Sequence, residues 1–397
     1  MDNSAETKYI HTANGEMCYE MKKALTVPET FPMYLSSAYI FDSIDPVDKI
    51  CNDGAPGYVY YRLGNPNCDQ VSRIMATGDE TEAGLAFSSG MAAITTSLLA
   101  VLKPGDHIVA SPVLYGETFY YLKHELKKWD IETTFIDFQT QDIADYIKDN
   151  TKVVYGETIA NPMMAVPDIG HLADVAHKKG ALLFIDNTFA TSVIAKPAKL
   201  GADVVLYSAT KYLGGHDDIV GGIALGSKKI IDKIRFYLGL YGGNLGAAEA
   251  WLLARSLRTL PLRVKKMSAN GLKLATYFAQ HPKVERVYYP GLPSSPSKPL
   301  ADMQFEGNGY GGMLTVNIKG GMKEINKLIE QLHLVHFVPT LAGTATTLTY
   351  PPRASHRDLS PDELKAIGIT YGQIRLSAGL EDSHDIIADF DQALNKI

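Results

Sequence analysis

The stretch from about Thr81 to Lys228 constrains the fold most, because short apolar runs alternate there with segments of helical spacing. Ala83–Phe87, His107–Ser111, Val153–Glu157, Ala181–Asp186 and Val204–Tyr207 read as strands. Met91–Lys103 and Ile169–Lys179 read as helices, the second with Ile169, Leu172, Ala173 and Ala176 on one face. Strands alternating with helices build a mostly parallel sheet covered on both faces. Two further helices are expected, Ala247–Leu260 ending at Pro261 and then Arg263 to about His281. The remainder mixes strands (Met313–Ile318, Gln373–Ser377) with helices (Lys323–Gln331, Ile386–Leu394), an α+β pattern. A chain of 397 residues is long for one core, so a large and a smaller domain are expected. Residues 1–60 carry Pro28, Pro32, Pro46, Gly54, Pro56 and Gly57 and little periodicity. Such a stretch is disordered or wraps on a partner. The expected division is an N-terminal arm over 1–60, a cofactor-binding domain over 61–255 and a C-terminal domain over 256–397.

Composition narrows the function. A net charge of −6 argues against a nucleic-acid partner, which needs a basic face. No apolar run reaches the length of a membrane span. Met1–Thr12 is polar and mixed in charge, unlike a signal or transit peptide. Cys18, Cys51 and Cys68 lack metal-ligand spacing and read as free thiols of a reducing cytoplasm, so no metal is expected.

Five features carry chemistry. In Ala202–Gly215 an apolar strand ends in Ser208, Thr210 and Lys211. Ligands of open α/β sheets bind at strand ends, and a lysine there can condense with an aldehyde cofactor while the hydroxyls meet a phosphate. The bland alternative is a solvent-facing lysine. Asp186 follows five apolar residues, so its carboxylate needs a cation such as a protonated ring nitrogen; otherwise it caps the next turn. Ser89, Gly90 and Met91 follow a strand and open a helix, a place where backbone N–H groups bind phosphate. Tyr115, just after the His107–Ser111 strand, could stack on a cofactor ring or sit half-buried in a loop. Arg375, flanked by apolar strand residues, suits capture of a carboxylate or an internal ion pair.

Together these residues resemble the Cys/Met-metabolism family of pyridoxal 5'-phosphate (PLP) enzymes, from about Phe31 to Leu394. Ser208-Ala209-Thr210-Lys211-Tyr212 resembles the family's PLP-lysine signature, and Ser89-Gly90-Met91 its phosphate loop. Tyr60-Tyr61-Arg62 with Asn65-Pro66 resembles its phosphate-binding Tyr-x-Arg and Asn-Pro segment. Glu157-Thr158 with Asn161-Pro162, Asp186-Asn187-Thr188, and Arg375-Leu376-Ser377 through Glu381-Asp382 match its remaining motifs. The resemblance implies the aspartate-aminotransferase-like fold-type I: a mostly parallel large domain and a smaller α+β domain. It implies cofactor contacts from Tyr60, Arg62, Ser89, Gly90, Met91, Tyr115, Glu157, Asn161, Asp186, Thr188, Ser208, Thr210 and Lys211. Substrate contacts are implied for Arg375, Thr340, Tyr60 and Glu117, and catalysis for Lys211, Tyr115 and Asp186. Tyr60 and Arg62 would cross to a neighbouring subunit of a cytoplasmic homotetramer, itself a pair of site-sharing dimers.

The implied activity is γ-elimination on a sulfur amino acid, in which Tyr115 protonates the leaving sulfur; acting as a base, it would need a lowered pKa. γ-Replacement and β-elimination use the same residues and remain open. A binding protein that has lost catalysis would not need Lys211, Asp186, Tyr115 and Arg375 together. A dinucleotide-dependent dehydrogenase would need a strand–GxGxxG–helix unit that is absent. Glu117, Pro339, Thr340-Leu341-Ala342-Gly343, Thr346, Tyr207 and Asn244-Leu245-Gly246 depart from the family pattern. They are expected to cluster on the substrate side. Glu117, beside the tyrosine, would favour a substrate with a distal amine or other donor, or else cap the following helix.

Overall fold

Two β-sheets organise the computed structural model, which describes residues 4–12, 28–354, 364 and 368–397. The strands are β1 (Ala83–Phe87), β2 (His107–Ala110), β3 (Glu132–Phe135), β4 (Thr151–Glu157), β5 (Leu182–Asp186), β6 (Val204–Ser208), β7 (Gly222–Gly226), β8 (Val284–Tyr288), β9 (Met313–Ile318), β10 (His336–Phe337), β11 (Thr347–Thr349) and β12 (Gln373–Ser377). The first sheet has the order β1-β7-β6-β5-β4-β2-β3 and the second β10-β11-β12-β9-β8. β2 pairs in parallel with β3 and β4, and β4 with β5, whereas β1 pairs antiparallel with β7. β12 and β8 both run antiparallel to β9. The expected mostly parallel sheet followed by a smaller α+β region is therefore present.

The chain divides into two compact units. The first comprises Met1–Val101, Leu206–Gly214 and Asp218–Thr259, and the second Leu102–Val205, Gly215–Asp217 and Leu260–Ile397.

In the first unit, Pro66 opens the helix Pro66–Asp79, where its missing N–H costs nothing, and Asn65 caps it by accepting the Asn67 N–H at 2.9 Å. The same two asparagines pin the arm: Asn65 Nδ2 donates to the Tyr34 carbonyl, and Asn67 bonds both the Tyr34 N–H and the Pro32 carbonyl. Asn65-Pro66, matched above to a phosphate-binding segment, here starts a helix and anchors the arm. The arm also holds a helix, Asp45–Asn52, with no buried residue. The second unit has its apolar core around β9 and β12. Leu314, Val316, Ile374, Leu376, Phe278 and Phe390 are fully enclosed there, the two phenyl rings edge to face at 5.0 Å.

Three differences from the sequence reading have physical reasons. β7 is a buried run bounded by glycines, and β3 a half-exposed run of Glu and Thr, so neither has a distinctive period. Lys228–Tyr241 forms a helix beyond the point where the reading stopped. Pro261 does not end the preceding helix, which stops at Leu257. It lies in the first turn of Leu260–Gln280, where a proline needs no N–H partner.

Candidate active site

The candidate residues fall into one cluster in each unit. In the first unit, β1 runs through Ser88-Ser89 into the helix Gly90–Val101. The Ser88 N–H donates to the Gly243 carbonyl at 2.7 Å, and Ser89 Oγ caps the helix by accepting the Ala92 N–H at 3.0 Å. Two glycines permit this packing. A Cβ on Gly90 would stand 2.9 Å from Ser208 Cβ, and one on Gly222 only 2.1 Å from the Ser89 carbonyl oxygen. A helix start therefore lies against the end of β6 with no side chain between, a cradle suited to a phosphate.

Lys211 sits in the turn after β6, its N–H donating to the Ser208 carbonyl at 3.2 Å. Thr210 Oγ1 accepts the Gly221 N–H at 3.1 Å and pins that turn to the segment entering β7. Met91 is the second residue of the helix. Tyr60 is exposed, with the Arg62 guanidinium 5.7 Å from its ring centroid. Arg62 Nη1 donates to the Gly239 carbonyl near the end of the helix Lys228–Tyr241, where a cation is favoured.

The second unit holds Tyr115, Glu157, Asn161, Asp186, Thr188 and Arg375 in one connected set. Glu157 and Asp186 end neighbouring parallel strands and are register partners. Glu157 Oε1 accepts the Tyr115 N–H at 2.7 Å, and the same carboxyl accepts the Asn161 N–H. Asn161 Oδ1 in turn accepts Arg375 Nη1 at 2.8 Å. Arg375 lies in β12 between Thr349 and Thr315 and is 5% exposed. Thr188 donates its N–H (2.9 Å) and hydroxyl (2.5 Å) to Asp186 Oδ1.

Electrostatics follow from this crowding. Burial pushes the Glu157 carboxyl well above the usual carboxylate range, and the Asp186 charge adds to the push; the two amides and Arg375 oppose it. Burial also raises Asp186, against the pull of the two Thr188 hydrogen bonds. Two carboxyls side by side with their protons driven up form a site short of positive charge, which a protonated ring nitrogen would supply. Tyr115 is raised, first by burial and then by Glu117, with Arg375 pulling back. The protein's own groups thus favour the neutral phenol at neutral pH, opposite to the lowered pKa that a base needs. That phenol suits proton donation. The cluster can hold a cation at Asp186 and an anion at Arg375, and can deliver a proton from Tyr115.

Glu117 is exposed in the first turn of the helix Gly116–Tyr120. Thr340 is half-buried in the loop before Ala342, whose N–H donates to Ser377 Oγ at 2.7 Å; Pro339 is exposed. The departures from the family pattern do not all cluster on a substrate side. Tyr207 is enclosed and donates its hydroxyl to Asp79. Asn244 Nδ2 donates to the Arg62 carbonyl at 2.8 Å. Thr346 gives its N–H and hydroxyl to Glu381, a half-buried clasp in which a glutamate at 346 would face a second carboxylate. The tie from Glu157 to the Tyr115 backbone has no sequence signal, since 42 residues separate its ends.

A family model described as Cys/Met metabolism PLP-dependent enzyme matches residues 7–395. An L-methionine gamma-lyase of Fusobacterium nucleatum is 40% identical over 371 residues, covering 92% of this chain and 93% of the relative. A cystathionine gamma-lyase of Bacillus subtilis is 38% identical, covering 86% and 89%. Among solved structures, a putative O-acetylhomoserine (thiol)-lyase of Campylobacter jejuni superposes with a TM-score of 0.92 at 29% identity, over 99% of this chain and 100% of that one. It was solved with N'-pyridoxyl-lysine-5'-monophosphate in the chain.

Proposed function

Since this chain belongs to the Cys/Met metabolism PLP-dependent enzymes and is a carbon–sulfur lyase of fold-type I, we propose that it carries out γ-elimination on methionine, cystathionine or a close relative. With uptake of water the products are a thiol, 2-oxobutanoate and ammonia. The observation that carries the reading is the second-unit cluster, which offers a carboxylate short of a cation, a buried arginine and a proton-bearing phenol.

Bound PLP supplies an aldehyde for the substrate amine and a ring that draws electrons from the bonds around Cα. The helix start at Gly90 and the Ser89–Ser208 turns would hold its phosphate, and Lys211 its aldehyde. Asp186 keeps the ring nitrogen protonated. Arg375, steadied by Asn161, orients the substrate carboxylate. The Lys211 amine would take the α-proton, give it back to the cofactor side and, a free base again, take a β-proton, while Tyr115 would donate to the sulfur as the Cγ–S bond breaks. Glu117 places a negative charge beside that phenol and favours a substrate with a distal ammonium, as in cystathionine.

The arm supports a homotetramer built from site-sharing dimers. It leaves Leu35 71%, Ile40 98% and Ile44 76% exposed, apolar surface that a second copy would cover. Tyr60 and Arg62 then reach the neighbour's phosphate. Cys51 and Cys68 are free thiols, in keeping with a cytoplasmic location.

The test is a product assay on methionine, cystathionine, cysteine, and O-acetylhomoserine with sulfide. 2-Oxobutanoate and ammonia from methionine or cystathionine are expected, and Glu117→Gly should shift the ranking of the two severalfold. Pyruvate as the main product would replace the proposal with β-elimination. Homocysteine formed from O-acetylhomoserine without ammonia would replace it with γ-replacement.

A further inference from the structure

Glu157 touches the backbone of two residues that face the substrate in the reading above, and the present inference rests on that reading. Glu157 is 7% exposed at the end of β4. One oxygen holds the Tyr115 N–H at 2.7 Å, at the point where the chain turns into the helix Gly116–Tyr120. The carboxyl also holds the Asn161 N–H, and the Asn161 side chain carries Arg375 Nη1 at 2.8 Å. One buried side chain thus links the residue that delivers a proton to the pair that grips the substrate carboxylate. Both links are to backbone amides, so they fix main-chain position rather than side-chain rotamer. We infer that Glu157 is a positioning residue, which sets the spacing between the Tyr115 phenol and the Asn161–Arg375 pair.

Substitution separates this role from direct cofactor contact. A carboxylate has about four acceptor directions, and two of them here go to main-chain amides of the protein. A glutamine in its place has one acceptor oxygen and no charge. Glu157→Gln therefore keeps volume and burial but weakens the tie between the two segments. Glu157→Ala releases both. A small displacement of a reacting group can cost about a hundredfold in rate.

The experiment compares PLP-loaded wild-type, Glu157→Gln and Glu157→Ala enzymes, full length. It reads the visible absorbance of bound PLP, the unfolding temperature, and kcat and KM on the best substrate from the product assay. For Glu157→Gln we expect retained PLP absorbance and an unfolding temperature within a few degrees of wild type. Its kcat should fall about tenfold and its KM rise about tenfold; Glu157→Ala should lose about a hundredfold in kcat. If Glu157→Ala fails to fold, the glutamine variant decides alone. Unchanged kcat and KM in Glu157→Gln would overturn the inference. So would loss of bound PLP from a folded Glu157→Gln, which would put the carboxylate on the cofactor. Should the wild type turn over no sulfur amino acid, the reaction assignment fails separately. Positioning is then read from the change in bound-PLP absorbance on titration with L-alanine, expected to need about tenfold more ligand in Glu157→Gln; equal affinity would overturn it.

Discussion

The two clusters are built from different materials. In the first unit, backbone and small residues do the positioning: Gly90 and Gly222 bring a helix start against Ser208 and Ser89, and Thr210 ties down the lysine-bearing turn. In the second unit, charged side chains do the positioning. Glu157 and Asp186 lie side by side with their protons driven up, and Arg375 is buried on Asn161. A phosphate keeps its charge throughout and can be met by fixed dipoles. Groups that take up, release or orient charge during a reaction need neighbours that tune them. The first cluster is thus suited to holding, and the second to chemistry. In the proposed reaction Lys211 is the exception, a reacting group carried by the holding cluster.

That exception gives the largest expected effect. Lys211→Ala should lower turnover about 10³-fold or more and remove the covalent attachment of PLP. The measurement is trapping by borohydride followed by denaturation; colour that stays on the protein would place the attachment elsewhere. Next comes Tyr115→Phe, which removes the phenolic proton and keeps the ring. We expect about a 10²-fold loss in kcat with PLP affinity near that of wild type. If PLP affinity and kcat fell together, the division between holding and chemistry would not stand.

The same division governs how much was legible in the sequence. The first cluster is short range: Ser89-Gly90-Met91 and Ser208 to Lys211 are each one turn at the end of one strand, so local pattern exposes them. The strands β1, β2, β4, β5 and β6 were readable for a related reason, each being a compact apolar run. The second cluster is joined by two contacts that span 42 and 214 residues. Its members could be named from motifs. That Glu157 holds the backbone of Tyr115, or that Asn161 carries Arg375, depends on which strands lie side by side. Periodicity cannot supply that. Tyr207 and Thr346 make the same point in reverse. Each departs from the family pattern in a suggestive way, yet each is satisfied inside its own unit by Asp79 or Glu381.

The smallest expected effect tests the backbone-built cluster directly. Gly222 lies at the start of β7 opposite Phe87, and a Cβ there would come within 2.1 Å of the Ser89 carbonyl oxygen and 3.0 Å of Gly90 Cα. Both are main-chain atoms, so no rotamer change relieves the overlap, and the Ser89–Gly90 turn must move. Gly222→Ala should cost about 1–3 kcal/mol of stability, read by urea unfolding of the apoenzyme. If the turn holds phosphate, the displacement should also weaken PLP binding roughly tenfold, while KM at saturating PLP stays near that of wild type. The proposed reaction assigns the substrate carboxylate to Arg375 and not to that turn, which is why KM is expected to hold. Wild-type PLP affinity in a destabilised Gly222→Ala would mean that the helix start at Gly90 packs the sheet without holding the cofactor. The phosphate would then have to be held by side chains.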